Sequence, residues 1–428
     1  MTTYFPSELL LKIVGHLSKS KLRELCFVSR DWLNVAQVGL FRTVRVNMVQ
    51  KSAQDLIAFR QSSPHLRTYV NQLHLFGRGS MELPPMNIGD LFKVLQLLPA
   101  IRCLKLYRVS IAGPVEVTDD LVSSQPELKL MLSNFQSGVD VLDTILTRLH
   151  PTELHLQHVI VDPSDEFQPP FRQDAFKGVR VLNIGGVYNS GAPRTRWTTS
   201  DILAICPVDT LTTFGLGYDI DRHQHGEELR RFLETKGRHV ECLNIDYGHW
   251  TVIEPEAEKM RLMMDDVGRD GFGGTPSEWP TIKLSTCCPA LKHITFFLFV
   301  EYESPDDSKK SSAIYLWRYA LRLISTAPKN LISITVLFDL GGNVPYEDLD
   351  RSTIYTVNWE KWDEVLRGFE KLERVSFVPL GFEGRAERET FAVPATQPRV
   401  SDWPEEASEF VYKQLSSLHK RNVEFRFA

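Results

Sequence analysis

A short hydrophobic pattern, apolar-x-x-apolar-x-apolar, recurs about ten times along the 428 residues of this chain. The middle apolar residues of the first seven copies are separated by 24 to 32 residues, and those of the later copies by 40 to 51. Because alternate residues of a strand point to opposite faces, each copy predicts a strand with one buried face. The chain must therefore fold as a repeated unit that contains a strand. The middle residues are Leu73, Leu104, Leu130, Leu154, Leu182, Phe214, Leu243, Ile294, Ile334 and Val375, and Val423-x-Phe425-x-Phe427 ends the series.

Helical patterns separate these strands, and prolines such as Pro99, Pro151 and Pro328 fall between a helix and the next strand, where they stop the helix. Strand and helix that alternate at a short period indicate parallel strands with helical crossovers, and therefore an α/β protein. The number of copies favours an open solenoid over a closed doubly wound sheet. The predicted helices cover residues 90–98, 141–149, 227–233, 313–324, 359–369 and 405–418.

The first 46 residues lack this pattern and have their own order of motifs. They contain Phe5-Pro6-Ser7-Glu8-Leu9-Leu10, then Leu17 and Leu22, then Val28-Ser29-Arg30-Asp31-Trp32, and finally Leu40-Phe41-Arg42. Pro6 suits the first turn of a helix, and Glu8 favours the positive end of the helix dipole. These motifs, in this order, resemble an F-box, which implies a small all-helical module over residues 1–46.

So short a module has a marginal core, so part of its apolar surface is expected to contact a partner. In the F-box family this partner is the Skp adaptor of SCF (Skp, cullin, F-box) ubiquitin ligases. The adaptor in turn links the F-box protein to the cullin. The alternative is that these residues make ordinary internal contacts of a helical hairpin. The resemblance implies that the adaptor contacts are Pro6, Leu9, Leu10, Ile13, Leu17, Leu22, Val28 and Trp32.

Residues 47–428 resemble the leucine-rich-repeat-like arrays that follow F-boxes in many fungal proteins. The resemblance implies an irregular β/α solenoid with a parallel curved sheet. The repeats lack the asparagine ladder of regular leucine-rich repeats, of which Asn183 and Asn244 are the only hints. Gly185-Gly186 and Gly215-x-Gly217 lack a complete phosphate-binding fingerprint, and we expect them to serve turns that leave the strands.

The wider spacing of the later repeats predicts long loops over residues 254–281, 303–312 and 380–402. Insertions in a solenoid tend to lie on one face, which is frequently the binding face. Aromatic residues are over-represented among binding hot spots, although each could instead cover the edge of the array. The candidate target contacts in or near these loops are Trp250, Phe272, Trp279, Tyr346 and Trp403.

Composition narrows the possible functions. With 49 basic and 54 acidic residues, the net charge of −5 argues against a general nucleic-acid binder. The first 46 residues, however, hold seven basic and three acidic residues, which suits an acidic partner surface, although a solvated helix face is the better explanation of most of these lysines. The absence of a long apolar run or a secretory signal predicts an intracellular protein without a membrane partner. Six cysteines in so long a chain predict reduced, structural thiols.

A search for catalytic motifs yields little. His223-x-His225 with His239, Cys242 and His249 matches no zinc spacing, and no nucleophile elbow is present. We therefore predict a protein without metal, cofactor or catalytic residues of its own.

Three functions remain open. The first is a substrate-recognition subunit of an SCF ubiquitin ligase, whose F-box binds the adaptor while the solenoid holds a protein target. The second is a scaffold that binds through the solenoid alone, with the N-terminal hairpin as its cap. The third is a catalytic α/β domain with a polar pocket at the carboxyl ends of the strands. The first predicts that Leu9, Ile13 and Trp32 are exposed, and the second predicts that they are buried near Leu73.

Overall fold

The computed structural model describes residues 6–77, 86–114, 127–162, 171–172, 174–189, 199–206, 209–217, 224–246, 281–300, 312–339, 353–380, 405–419 and 423–427. The chain forms two compact units. Unit 1 comprises residues 1–179 and 187–197, and unit 2 comprises residues 180–186 and 198–428.

The described helices alternate with strands along most of the chain. Two 3₁₀ helices, Pro64–Tyr69 and Gly237–His239, supplement the α-helices. The α-helices are α1 Ser7–Gly15, α2 Lys19–Leu25, α3 Arg30–Phe41, α4 Ala53–Ser62, α5 Ile88–Gln96, α6 Val139–Leu149, α7 Thr199–Ile205, α8 Gln224–Lys236, α9 Leu284–Cys287, α10 Ser312–Ser325, α11 Thr353–Thr356, α12 Trp359–Arg367, α13 Glu405–Gln414 and α14 Ser416–His419.

The described strands all pair in parallel where their register is defined. They are β1 Thr43–Asn47, β2 Gln72–Phe76, β3 Met86–Asn87, β4 Cys103–Tyr107, β5 Ser110–Ala112, β6 Lys129–Ser133, β7 Gln136–Gly138, β8 Glu153–Asp162, β9 Val181–Asn189, β10 Thr213–Gly217, β11 Cys242–Asp246, β12 His293–Phe299, β13 Ser333–Asp339, β14 Arg374–Leu380 and β15 Glu424–Phe427.

In unit 1 the strands β1, β2, β4, β6 and β8 lie side by side in that order. The middle apolar residues of the sequence pattern form one buried row across this sheet: Leu73 pairs with Leu104, Leu104 with Leu130, and Leu130 with Leu154. The short strands β3, β5 and β7 pair in the same order and end on the second half of β8. The repeats of β4, β6 and β8 therefore each carry a second strand segment directly after the main one.

In unit 2 residues 181–186 of β9 and the strands β10 to β15 lie side by side in sequence order. The middle apolar residues form a buried row here as well, from Leu182 through Phe214, Leu243, Ile294 and Ile334 to Val375, and Phe425 pairs with Val375.

An aromatic cluster lies behind the strands of unit 2. The rings of Trp317 on α10 and of Trp359 and Trp362 on α12 lie 5.9 to 6.0 Å apart between centroids, and Phe377 of β14 packs against Trp359 at 5.5 Å. The indole N–H of Trp359 donates to the carbonyl oxygen of Ile354 at 2.7 Å, so this buried polar group is paired.

The predicted α/β class, with an N-terminal helical part and a leucine-rich-repeat-like array of parallel strands, is confirmed. Two details differ from the sequence analysis. The strand β1 was not expected, and the predicted boundary at residue 46 lies within it. At the end of the array, Phe425 rather than Val423 pairs with Val375 and so occupies the middle position of the repeat.

The predicted loops lie outside the described residues except at their ends. Thr281 accepts a hydrogen bond from the guanidinium of Arg322 at 2.7 Å. Ser312 begins α10 and Leu380 ends β14, so the second loop ends before residue 312 and the third begins after residue 380. No helix among the described residues is long and apolar enough to span a membrane.

Candidate functional site

The helices α1, α2 and α3, which we call the helical module, form a small bundle at the start of unit 1. Ser18 and Ser29 cap α2 and α3, because their hydroxyls accept from the backbone N–H groups of Lys21 and Trp32 at 3.5 and 3.3 Å. α3 packs against both α1 and α2, and also against the 3₁₀ helix Pro64–Tyr69. The module is thus anchored to the first repeat.

The interior of the helical module is small. Leu10, Val14, Leu22 and Val35 are buried, and Leu17, Leu25, Trp32 and Leu40 pack against them while half-buried. Gly39 lets α3 approach the other helices, since a Cβ there would clash with the side chain of Val14. These contacts leave little apolar area to stabilise the module by itself.

The outside of the helical module is apolar to an unusual degree. Among the described residues, eight large apolar or aromatic side chains are exposed, and five of them belong to this module. Leu9 and Ile13 are 46% and 42% exposed and lie one turn apart on α1, so they share a face. Phe27 and Val28, between α2 and α3, are 91% and 62% exposed. We call these four residues and Leu11 the apolar surface.

The predicted adaptor contacts divide into two groups. Pro6, Leu9, Ile13 and Val28 are exposed, as a partner interface requires. Leu10 and Leu22 are buried within the helical module, and Leu17 and Trp32 are half-buried against them, so these four make the internal contacts of a helical bundle. Trp32 packs in this bundle and is half-buried, whereas the adaptor hypothesis predicted it to be exposed. Contact of any of these eight residues with an adaptor stays a prediction.

Sequence reasoning missed two exposed residues, Phe27 and Leu11. Phe27 precedes Val28 at the end of a helical pattern, and a large aromatic residue at such a helix end was a usable signal. Leu11 lies beside the core residue Leu10 on α1, and periodicity alone did not show which of the adjacent leucines faces solvent. The target contacts proposed from sequence, Trp250, Phe272, Trp279, Tyr346 and Trp403, all lie outside the described residues and stay predictions.

The glycine prediction is wrong for Gly215. This residue lies within β10, between Asn183 of β9 and Asn244 of β11, and not in a turn. The amide of Asn244 donates to Asn183 Oδ1 at 3.5 Å across the glycine, and a Cβ at residue 215 would overlap that oxygen. Gly215 is therefore required for close approach of side chains.

Metal-ligating and nucleophilic groups do not converge in the described part of the chain. No three His, Cys, Asp or Glu side chains there are placed to hold a metal ion. His223 and His249 lie outside the described residues, and Cys242 lies in β11. Burial raises the pKa of the Cys206 and Cys288 thiols to about 12, so neither is a thiolate near neutral pH.

Comparison with solved structures finds similarity to leucine-rich-repeat proteins. The chain is similar to a leucine-rich repeat-containing protein, LegL7, from Legionella pneumophila. The sequences are 14% identical, the TM-score is 0.40, and the match covers 89% of this chain and 94% of that one. No protein-family model matches the sequence, and no curated protein matches it.

Proposed function

We propose that this chain is a non-catalytic substrate-recognition subunit of an SCF-type ubiquitin ligase. The helical module binds a Skp-type adaptor, which connects it to the cullin, and the repeat array holds a protein target. Transfer of ubiquitin then depends on proximity, because the scaffold raises the concentration of the target near the charged enzyme. The order of motifs in the first 46 residues, which resembles an F-box, supports the choice of adaptor.

One structural observation carries the proposal: the apolar surface on the helical module. A large exposed apolar patch on a protein commonly marks a site of interaction with another protein. A partner that covers Leu9, Ile13 and Val28 would bury their apolar surface, and each Å² buried stabilises the complex by about 25 cal/mol. The module thus gains from a partner the burial that its own small core does not provide.

Co-purification of the full chain with a Skp-type adaptor tests this proposal. We expect the wild type to bind and the double variant Leu9→Arg, Val28→Arg to lose binding, because a charge at each position opposes burial. Both residues are exposed, so the variant should stay folded, which circular dichroism would check. The matched control is Val49→Arg, which places the same charge on an exposed apolar residue outside the module.

The proposal is supported if the double variant loses adaptor binding while the wild type and Val49→Arg both bind. A wild type that does not bind, or a double variant that binds as the wild type does, contradicts it.

A second function is favoured by the attachment of the helical module to unit 1. Only Arg42 separates α3 from β1, and the Lys19 ammonium donates to the carbonyl oxygen of Thr43 at 3.3 Å. The module could therefore act solely as the cap of a binding scaffold. Under this alternative the Leu9→Arg, Val28→Arg variant binds the target normally and no adaptor is recruited.

A further inference from the structure

A row of basic side chains crosses the first three strands of unit 1. Arg45 of β1 pairs with His74 of β2, and His74 pairs with Lys105 of β4. The residues on either side of His74, Leu73 and Leu75, are buried on the opposite face. His74 and its two neighbours therefore lie on the face away from the apolar core, where Arg45 is exposed and the other two are half-buried.

A third cation joins this row from the helical module, beside Arg45 and Lys105. Lys19 of α2 reaches β1 through its hydrogen bond to the Thr43 carbonyl oxygen. Desolvation and, after it, the charges of Arg45, Lys105 and Lys19 lower the pKa of His74 to about 4. The charged groups that act on this imidazole are thus all positive. We call Lys19, Arg45, His74 and Lys105 the basic row.

The basic row ends at β4. In register with Lys105, the next strand carries the buried Met131. One position earlier on the face, Lys129 of β6 is paired with Glu153 of β8 at 3.2 Å. Beside the row, Phe76 and Tyr107 are half-buried, and the guanidinium of Arg108 lies 5.1 Å from the centre of the Tyr107 ring.

The spacing of the basic row matches a peptide in the polyproline II conformation. Neighbouring strands are about 4.8 Å apart, which separates Arg45 from Lys105 by about 10 Å across two strand spacings. A polyproline II chain advances about 3.1 Å per residue with three residues per turn, so side chains three residues apart lie on one face, about 9 Å apart. Carboxylates at that spacing would meet Arg45 and Lys105 together, with His74 and Lys19 between and beside them.

We propose that the basic row binds an acidic peptide segment of a protein partner, with carboxylates about three residues apart. The half-buried aromatic rings of Phe76 and Tyr107 supply apolar contact beside the charges, as interfaces of this kind require. This inference rests on the proposed function only in treating the segment as part of the target of the ligase. It assigns the target chemistry that the sequence left open.

Peptide binding to the full chain tests the inference. The ligand is a short fluorescein-labelled peptide with Glu at every third position and neutral residues between, and its control has Gln at the same positions. Fluorescence polarisation should show binding of the Glu peptide that weakens as salt is raised, and at least tenfold weaker binding of the Gln peptide. Equal binding of both peptides, or none, would overturn the inference.

Variants locate the site. The change Arg45→Glu, combined with Lys105→Gln, should weaken binding of the Glu peptide at least tenfold, because a carboxylate replaces one cation and the other is neutralised. Lys177→Glu, an exposed charge reversal elsewhere in unit 1, should leave binding unchanged. Arg45→Glu alone keeps Lys105 packed and serves if the double variant does not fold. If Lys177→Glu weakened binding equally, the net charge of the chain and not the basic row would explain the attraction, and the proposed site would be wrong.

Two further arms exclude other readings. The pKa of His74, followed by NMR of the imidazole, should rise from about 4 when the Glu peptide binds, because the ligand brings negative charge beside Arg45, Lys105 and Lys19. An unchanged pKa in the complex would overturn the inference. Equal or tighter binding of a single-stranded oligonucleotide of the same charge would also overturn it, in favour of nucleic acid.

The two proposals fail separately. Arg45→Glu should leave adaptor co-purification intact, and Leu9→Arg with Val28→Arg should leave peptide binding intact. A wild type that binds the adaptor but not the peptide, or the peptide but not the adaptor, identifies which proposal is wrong.

Discussion

At the scale of single residues, several residues with side chains adopt the left-handed backbone conformation, which glycine adopts more easily. Arg108, Asn134 and His158 have φ of 53°, 48° and 49° and follow the main strand segment of successive repeats of unit 1. The N–H groups of Arg108 and Asn134 donate to the carbonyl oxygens of Ser133 and Gln157 at 2.9 Å, one strand further on. The chain between the two strand segments of these repeats is thus fixed by backbone hydrogen bonds, which offset a conformational cost of about 1–2 kcal/mol per residue.

His150 has the same backbone conformation for a different reason, because it ends α6 with φ 44° and ψ 57°. It is exposed, and glycine at this position has no Cβ to strain. We expect His150→Gly to raise the free energy of unfolding by about 0.5–1 kcal/mol, as measured by urea denaturation. His150→Ala keeps the Cβ and should show no such gain. A glycine variant less stable than the wild type would show that the imidazole, not the backbone, decides stability here.

His74 makes stability depend on pH. Its pKa is about 4 in the folded chain, below the ordinary 6.5, so the unfolded chain binds a proton at a pH where the folded chain does not. The stability linked to the neutral imidazole of His74 is fully present above about pH 6.5 and is lost as pH falls through 4. Replacing His74 by Gln should flatten the dependence of the unfolding free energy on pH in this window by about 1–2 kcal/mol. Denaturation of both proteins at pH 4, 5, 6 and 7 would measure it, and parallel curves would contradict it.

At the scale of elements, the side chains of three neighbouring strands meet over one glycine. Asn183 on β9 is buried, and it contacts Asn244 on β11 only because Gly215 on the intervening β10 leaves the space open. The two asparagines thus form a bridge two strands wide. This bridge, rather than a continuous asparagine ladder, is what the scattered Asn183 and Asn244 of the sequence represent.

Gly215→Ala should therefore destabilise unit 2. The methyl group would displace the Asn183 amide and break its hydrogen bond with Asn244, at a cost of about 1–3 kcal/mol. Thermal unfolding followed by circular dichroism would measure the loss. Gly15→Ala is the control, because no atom lies within 4 Å of a Cβ at that position. A Gly215→Ala protein as stable as the control variant would show that the bridge adjusts without cost.

The sequence predicted the main strands better than the elements between them. One buried face fixes the register of a strand, so the apolar row from Leu73 to Val375 was visible as a pattern. β1 was missed because Thr43 to Asn47 overlap the end of the F-box-like motif, and β3, β5 and β7 are too short for any periodicity. The role of Gly215 and the exposure of Phe27 depend on neighbours from other segments, which spacing does not reveal.

At the scale of the whole molecule, the two units offer different chemistry on the faces of their sheets. Unit 1 carries the basic row, whereas the corresponding face of unit 2 carries the hydroxyl side chains Thr295, Thr335 and Ser376 in register. We therefore expect specificity for charge in the basic row, where three strands and α2 meet.

Adaptor binding should be visible as a local change in the whole chain. In hydrogen exchange measured by mass spectrometry, a saturating Skp-type adaptor should slow exchange of the amides in α1 to α3, because a bound partner stabilises the state it contacts. Amides of β10 to β14 serve as the internal control and should keep their rates. Equal slowing in both regions, or slowing only in the strands, would place the adaptor elsewhere.

The aromatic cluster of unit 2 gives this protein an optical label of its own. The indoles of Trp317, Trp359 and Trp362 are close enough for their electronic transitions to couple. Coupled indoles give a near-ultraviolet circular dichroism band that vanishes when the rings separate. Opening of the α10 and α12 layer can therefore be followed in the unmodified chain, without an added dye.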